Sequence, residues 1–160
     1  MKPRPLSRLF NSPRQLLDKA RRDLVRLEKA TFAQDENGRR DAMMDACVSV
    51  FHVKDWIGAM CSGYKADAEK HARTSKWISL CRVICHASKH VGLDLDRPPY
   101  SIAPPAAEKI DHTISAPVAT SVRVPALKVF SARYGDHLAT EVIRNAIAEW
   151  DSFLAGKNIP

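Results

Sequence analysis

The sequence predicts a mainly α protein, an antiparallel helical bundle with a small β hairpin inserted before the C-terminal helix. Apolar residues recur with helical spacing in four segments, and prolines mixed with β-branched residues are concentrated in one region before the last of them. The 160 residues are enough for one hydrophobic core, and 45% hydrophobic with 27% charged residues is typical of a globular protein.

We expect a flexible basic arm over residues 1–11, followed by a single helical domain over residues 12–160. Pro3 and Pro5 oppose an early helix, because proline lacks the backbone donor that a helix interior needs. Residues 1–40 contain 11 Lys or Arg and 5 Asp or Glu, so most of the net charge of +7 belongs to this quarter. Such a segment is typical of contact with RNA or another acidic partner, and also of a surface that only keeps a protein in solution.

Two helices are predicted directly after the arm. Ser12 followed by Pro13 is typical of a helix start, and helical spacing of apolar residues continues to about Phe32. We expect Asn37-Gly38 to form a turn and the second helix to span about residues 41–60. Apolar residues lie on most sides of this second helix, which is typical of the central helix of a bundle.

A third helix is predicted over residues 77–91, after a polar segment at residues 64–76 that forms a short solvated helix or a loop. The third helix has one apolar face and one polar side that is rich in cations. Its apolar face consists of Trp77, Leu80, Cys81, Ile84, Cys85, Ser88 and Val91. We expect it to pack antiparallel to the second helix.

The region before the last helix has a β-like pattern. Residues 97–105 are too rich in proline for a helix or a central strand. Residues 109–134 predict two or three short strands, bounded by Tyr134-Gly-Asp136. The last helix is predicted over about residues 139–154, with Gly156 as the residue that ends it.

The cysteine pattern and the lack of long apolar runs indicate the cellular compartment in which we expect the protein. We expect Cys47, Cys61, Cys81 and Cys85 to be reduced, with Cys61 the most exposed, because no Cys-x-x-Cys pair is present. No apolar run approaches the length of a membrane span, and the N-terminus lacks the apolar centre of a secretion signal. We therefore expect a cytoplasmic protein with no membrane partner.

The candidate site combines cations of the third helix with one acid of the second. Arg82, His86, Lys89 and His90 share the polar side of the third helix. We expect Asp55, on the central helix, to be shielded from water and to pair with one of these cations, because an unpaired buried carboxylate is costly. A histidine can move the proton of a ribose 2′-hydroxyl, and Arg or Lys can stabilise charge on phosphorus. The set therefore contains the parts of a metal-independent ribonuclease site.

Two other kinds of site fit these residues less well. His86 and His90 have the i, i+4 spacing of helical zinc ligands, but no glutamate lies between them to act as a base. Cys85 and His86 are adjacent, and adjacent helical side chains diverge by about 100°, so they would not form a nucleophile–base pair. We expect neither a metal nor another cofactor.

The segment Phe51-His-x-x-Asp-Trp56, followed by a helix that ends Cys85-His-Ala-Ser-Lys-His90, resembles the HEPN-like group of small helical proteins, many of them from bacteria and phages. The resemblance covers about residues 12–92, and the closing helix around Trp150 also fits. It implies an antiparallel bundle, frequent homodimers and, in many members, an RNA-cleaving site at the dimer interface.

The members of the group that cleave RNA carry an Arg and, after four to six intervening residues, a His. Here three residues lie between Arg82 and His86, and seven lie between Arg82 and His90.

The sequence thus predicts a HEPN-like intracellular protein that binds or cleaves RNA as a homodimer. The alternative is a non-enzymatic, homo-oligomeric interaction or accessory protein, in which Asp55 and the cations only satisfy one another. The surroundings of His86 and His90 distinguish the RNA hypothesis from the non-enzymatic alternative, because a catalytic pair of histidines should line a cleft or a symmetric interface.

Overall fold

The structure, a computed structural model, describes residues 10–89, 127–129 and 134–160, with residues 87–89 and 128 described by their backbone only. In chain order the elements are α1 (Pro13–Phe32), α2 (Glu36–Met60), a 3₁₀ turn (Ser62–Tyr64), α3 (Lys65–Thr74), α4 (Lys76–Lys89), β1 (Lys128–Val129), β2 (His137–Leu138) and α5 (Ala139–Gly156). The predicted fold class, a helical bundle with a small hairpin before the last helix, is confirmed. The predicted basic arm lies almost entirely outside the described residues.

Helix α1 has the predicted bounds because both of its ends are specified locally. The Ser12 hydroxyl accepts a hydrogen bond from the Gln15 amide at 3.3 Å, and Pro13 is the first helical residue. At the other end Gln34 adopts a left-handed conformation, with φ of 56°. The Asp35 amide then donates to the Ala30 carbonyl at 2.9 Å, which closes the helix end.

Helix α2 begins earlier than predicted, at Glu36 instead of residue 41. Asp35 caps it, since its carboxylate accepts a hydrogen bond from the Gly38 amide at 3.0 Å. The predicted turn at Asn37-Gly38 is therefore wrong, and both residues belong to the first turn of the helix. A Cβ atom at position 38 would lie 2.2 Å from an Asp35 carboxylate oxygen, so glycine leaves room for the cap.

The polar segment after α2 is mostly helical. In α3 only Ala68 and Ala72, four residues apart, are buried, which is why hydrophobic periodicity hardly marks this helix. Ser75 separates α3 from α4, and its hydroxyl accepts a hydrogen bond from the Ile78 amide at 3.0 Å. Helix α4 is continuous over its described length, Lys76–Lys89.

The described part of the hairpin has two residues in each strand, and its second strand, His137–Leu138, lies after the predicted β region. Lys128 pairs with Leu138 and Val129 pairs with His137 in an antiparallel register. Tyr134-Gly-Asp136 therefore lies between the two strands and does not bound them. Residues 109–126 and 130–133 of the predicted β region lie outside the described residues.

The core is centred on α2, which contacts α1, α3, α4 and α5. Helix α5 closes the core as predicted, and its Trp150 is fully buried and donates from Nε1 to the Val50 carbonyl at 2.9 Å. Asn158, with φ of 51°, ends α5 by the same geometry as Gln34 ends α1. The prediction that Gly156 has this role is wrong, because Gly156 is the last residue of the helix itself.

Candidate functional site at the contact of α2 and α4

The expected shielding of Asp55 from water is wrong. Its side chain is 46% exposed, and its partners come from its own helix: His52 Nδ1 lies 2.7 Å from Oδ2, and Lys54 Nζ donates to Oδ1 at 2.5 Å. Apolar residues surround much of α2, but the sector that contains Asp55 faces solvent. Asp55 is therefore neutralised without any cation from α4.

The protonation of Asp55 follows from this environment. Partial burial raises the pKa of the carboxyl, but the hydrogen bonds from His52 and Lys54 and their charges outweigh it, and the net shift is downward. The carboxylate is thus ionised at neutral pH and can only accept hydrogen bonds. Because an ionised carboxylate only accepts, the hydrogen between the two groups is on His52 Nδ1, and Nε2 is the ring nitrogen that Asp55 does not engage.

Phe51 connects the His52–Asp55 pair to α4. The ring centroid of His52 lies 5.4 Å from that of Phe51, and the centroid of His86 lies 5.7 Å from it. The two imidazoles therefore share one aromatic neighbour, and their centroids cannot be farther apart than the sum of these distances. Lys54 Nζ lies 4.9 Å from the same ring centroid, which adds a cation at this position.

The predicted cations of α4 are only partly described. Arg82 and His86 are half-buried and lie one helical turn apart, so their side chains are neighbours on one face. Lys89 is the last described residue of α4, and its side chain and all of His90 lie outside the described part of the chain. The structure thus associates His86 with His52 and Asp55 through Phe51, and His52 is not among the site residues that the sequence predicted.

The chemistry available here is acid–base chemistry. An ionised carboxylate that holds one imidazole nitrogen sets the tautomer and orientation of the ring, and a second imidazole against the same Phe51 ring can have the opposite protonation role. Within residues 10–89, 127–129 and 134–160, no group of three His, Cys, Asp or Glu residues is arranged to hold a metal ion.

Sequence reasoning missed a second charged cluster, at the contact of α1 and α2. The side chain of Asp23 is only 5% exposed, and it receives hydrogen bonds from Lys19 at 2.5 Å and Arg26 at 2.8 Å. Lys19 also donates to Ser49 and Arg26 to Asp45, so the cluster ties the two helices together. The spacing of Lys19 and Asp23 (i, i+4) and of Asp23 and Arg26 (i, i+3) on α1 is the sequence pattern that could have predicted this cluster. With every charge paired, the cluster stabilises the fold.

The cysteines lie where their hydrophobic character predicts. Cys47, Cys81 and Cys85 are buried, all four cysteines are free thiols, and Cys61 is the least buried. A hydrogen bond with Cys81 and complete burial raise the pKa of the Cys47 thiol well above its usual range. A protonated, fully buried thiol is a poor nucleophile, and the position of Cys47 is typical of a core residue.

No protein-family model, no curated protein and no solved structure matches the chain. None of the described helices combines the length and the apolar character needed to cross a bilayer.

Proposed function

We propose that this chain is a HEPN-like RNA-binding protein that cleaves RNA at the contact of α2 and α4. The observation that carries the proposal is the 2.7 Å contact between His52 Nδ1 and Asp55, beside a Phe51 ring that also packs on His86. Two imidazoles, one of them held by a carboxylate, are the groups that metal-independent cleavage of a phosphodiester requires.

Each group has a defined task in this reaction. His52 Nε2 takes the proton of a ribose 2′-hydroxyl, and the 2′-oxygen attacks the adjacent phosphorus. The bond from phosphorus to the 5′-oxygen breaks, and His86 supplies the proton that this oxygen needs. Arg82, one turn before His86 on α4, stabilises the charge that develops on the phosphoryl oxygens. The products are a 2′,3′-cyclic phosphate and a 5′-hydroxyl, and no metal takes part.

We further propose that the basic N-terminal region contributes affinity for RNA and that the active form is a homodimer. A second copy over the polar side of α4 would exclude water from the site, which an open surface would not achieve. We propose that Lys89 and His90 belong to the same site. Sedimentation equilibrium of the full chain tests the dimer directly.

The test is cleavage of a labelled single-stranded RNA in the presence of EDTA. We expect His52→Ala and His86→Ala each to reduce the rate about 100-fold or more, the usual contribution of a general acid or base. Arg82→Ala should reduce the rate as well, whereas Arg73→Ala, an exposed arginine of α3, should leave it unchanged. Thermal unfolding of each variant establishes that the fold is kept.

Equal and negligible cleavage by the wild type and all variants would refute the enzymatic part. Binding is then tested separately by fluorescence anisotropy against salt, because phosphate contacts weaken steeply as salt rises. A flat salt dependence would also remove RNA as the ligand.

A second candidate function, a non-enzymatic interaction or accessory protein, is favoured by one observation. Both partners of Asp55 lie on α2, so the ion pairs of this carboxylate satisfy its charge without any substrate. In that case His52→Ala and Asp55→Ala would change stability while no RNA product appears with any variant.

A further inference from the structure

The outward surface of α1 carries a row of four exposed residues, Arg22, Val25, Lys29 and Phe32, which we call the outer stripe. At about 100° per residue the four positions fall within an arc of about 80°. The buried positions of α1, among them Leu16, Ala20 and Leu27, lie on the opposite side. The outer stripe therefore faces away from the core.

The apolar members of the outer stripe are unusually exposed. Phe32 is 82% exposed and Val25 is 46% exposed, and they lie seven residues apart on one helix. Seven residues correspond to two helical turns, about 10.5 Å. Phe32 is thus largely uncovered and Val25 about half covered, and two such apolar side chains in one register are typical of a helix surface that another helix contacts.

The cations of the outer stripe differ from their neighbours. Arg21 pairs with Asp18 and Asp151, and Arg26 pairs with Asp23 and Asp45. By contrast, no acidic side chain among the described residues pairs with Arg22 or Lys29. These two are also seven residues apart, so they alternate with Val25 and Phe32 in the a and d pattern of a helical seam.

We propose that the outer stripe is a docking surface for an acidic amphipathic helix of another protein. Such a helix presents an apolar residue and a carboxylate, each once per heptad, so that the apolar residues contact Val25 and Phe32 and the carboxylates neutralise Arg22 and Lys29. This surface does not overlap the proposed cleavage site, which involves α2 and α4. Arg22 and Lys29 do belong to the basic region over residues 1–40, so RNA binding at the stripe is one outcome of the test.

The charge of the outer stripe selects this occupant over two others. A second copy of the chain would bring four cations and no carboxylate of the two stripes into one contact, in either helix direction, and like charges close together oppose association. Single-stranded RNA stacks its bases on aromatic rings, but Phe32 is the only ring of the stripe, and Val25 puts an aliphatic group between the two cations. A helix with spaced carboxylates matches all four residues.

The test uses the full chain and a fluorescent 21-residue peptide with Leu at every d position, Glu at every a position, and Ala or Gln elsewhere. Binding is measured by anisotropy. We expect the double variant Arg22→Glu/Lys29→Glu to weaken binding about tenfold or more and to bind a second peptide with Lys in place of Glu. Phe32→Ser should weaken binding about tenfold through lost apolar contact.

The matched control is Lys70→Glu/Arg73→Glu, which changes the net charge equally at two exposed residues of α3. We expect it to change the affinity for the acidic peptide less than about twofold, since surface charges beyond a Debye length are screened. All substitutions are at exposed positions, and unchanged thermal unfolding shows that the fold is kept.

Four results would overturn the proposal. The first is the absence of saturable binding of the acidic peptide. The second is equal weakening of peptide binding by the two double variants, which would mean that net charge alone attracts the peptide. The third is a self-association in sedimentation equilibrium that Phe32→Ser abolishes, which would make a second copy the occupant. The fourth is binding of a 12-nucleotide oligouridine that Arg22→Glu/Lys29→Glu weakens and the control does not, which would make RNA the occupant.

Discussion

Single residues decide what the contact of α2 and α4 can do. Asp55 holds His52 by one nitrogen, and Phe51 positions His52 relative to His86. His137, near the start of α4, instead contacts a backbone carbonyl: Nε2 lies 2.9 Å from the Tyr134 oxygen, and the ring lies against Trp77 at 4.9 Å between centroids. His71 packs against Trp150 and Phe153. Of His52, His71 and His137, only His52 combines a short carboxylate contact with substantial exposure.

The lowered pKa of Asp55 predicts a pH-dependent contribution to stability. Because the pKa is lower in the folded state, the stabilisation is present above the usual aspartate value, about 3.9, and is lost as the pH falls through the folded-state value. We expect Asp55→Asn to be less stable than the wild type by up to about 1 kcal/mol at pH 6, as for exposed pairs, and equal to it near pH 2.

Urea unfolding across this pH range measures the difference for Asp55→Asn. Asp41→Asn is the control, since Asp41 is an exposed carboxylate of the same helix that makes no ion pair within the described part of the chain. A difference between Asp55→Asn and the wild type that does not change with pH would contradict the pairing with His52 and Lys54.

At the scale of the elements, short polar signals set the helix bounds. Ser12, Asp35 and Ser75 each accept a hydrogen bond from a backbone amide three residues later. The ends of α1 and α5 use Gln34 and Asn158 in the left-handed region. Asparagine tolerates this conformation better than glutamine does, so the end of α1 is the more strained of the two.

We expect Gln34→Gly to stabilise the protein by about 0.5–1 kcal/mol. Glycine removes the steric cost of the left-handed conformation, about 1–2 kcal/mol, and part of this gain is offset by the greater freedom of glycine in the unfolded chain. Thermal and urea unfolding measure the change. At the adjacent Ala33, with φ of −75°, the substitution Ala33→Gly should instead destabilise. A Gln34→Gly protein less stable than the wild type would show that the glutamine side chain itself supports the helix end.

The whole molecule is held together by contacts between segments far apart in the chain. Trp150 joins α5 to the centre of α2, and Arg14 near the N-terminus donates to the Ile159 carbonyl at 2.9 Å. Surface ion pairs such as Lys157 with Asp67, at 2.6 Å, add links between α5 and α3. The buried contacts dominate, because exposed ion pairs contribute little.

Trp150→Phe tests this long-range link. The substitution removes the hydrogen bond to Val50 and leaves a small cavity, and we expect a loss of about 2–3 kcal/mol in the free energy of unfolding. Hydrogen exchange should show the amides of both α5 and α2 losing protection, because the two helices share this contact. Phe32→Leu, at an exposed aromatic residue, is the control and should change stability by less than about 0.5 kcal/mol. Loss of protection in α5 alone would contradict the coupling.

The sequence by itself determined the number, order and most bounds of the main helices, because hydrophobic spacing and capping residues act within one or two turns of chain. It predicted α1 from Ser12 to Phe32, but it placed the start of α2 too late, since Asn37-Gly38 has turn chemistry in isolation and Asp35 overrides it.

Only the tertiary structure decided which side chains meet. The rotation of each helix about its axis is fixed by packing between distant segments, and this rotation exposes Asp55, buries Asp23 and brings Phe51 against His86. The pattern of apolar residues along one helix indicates how much of the helix surface is covered by the rest of the protein. It does not indicate which neighbour covers which sector, so the partners of Asp55 and the exposure of Val25 and Phe32 on α1 could not be predicted from the sequence.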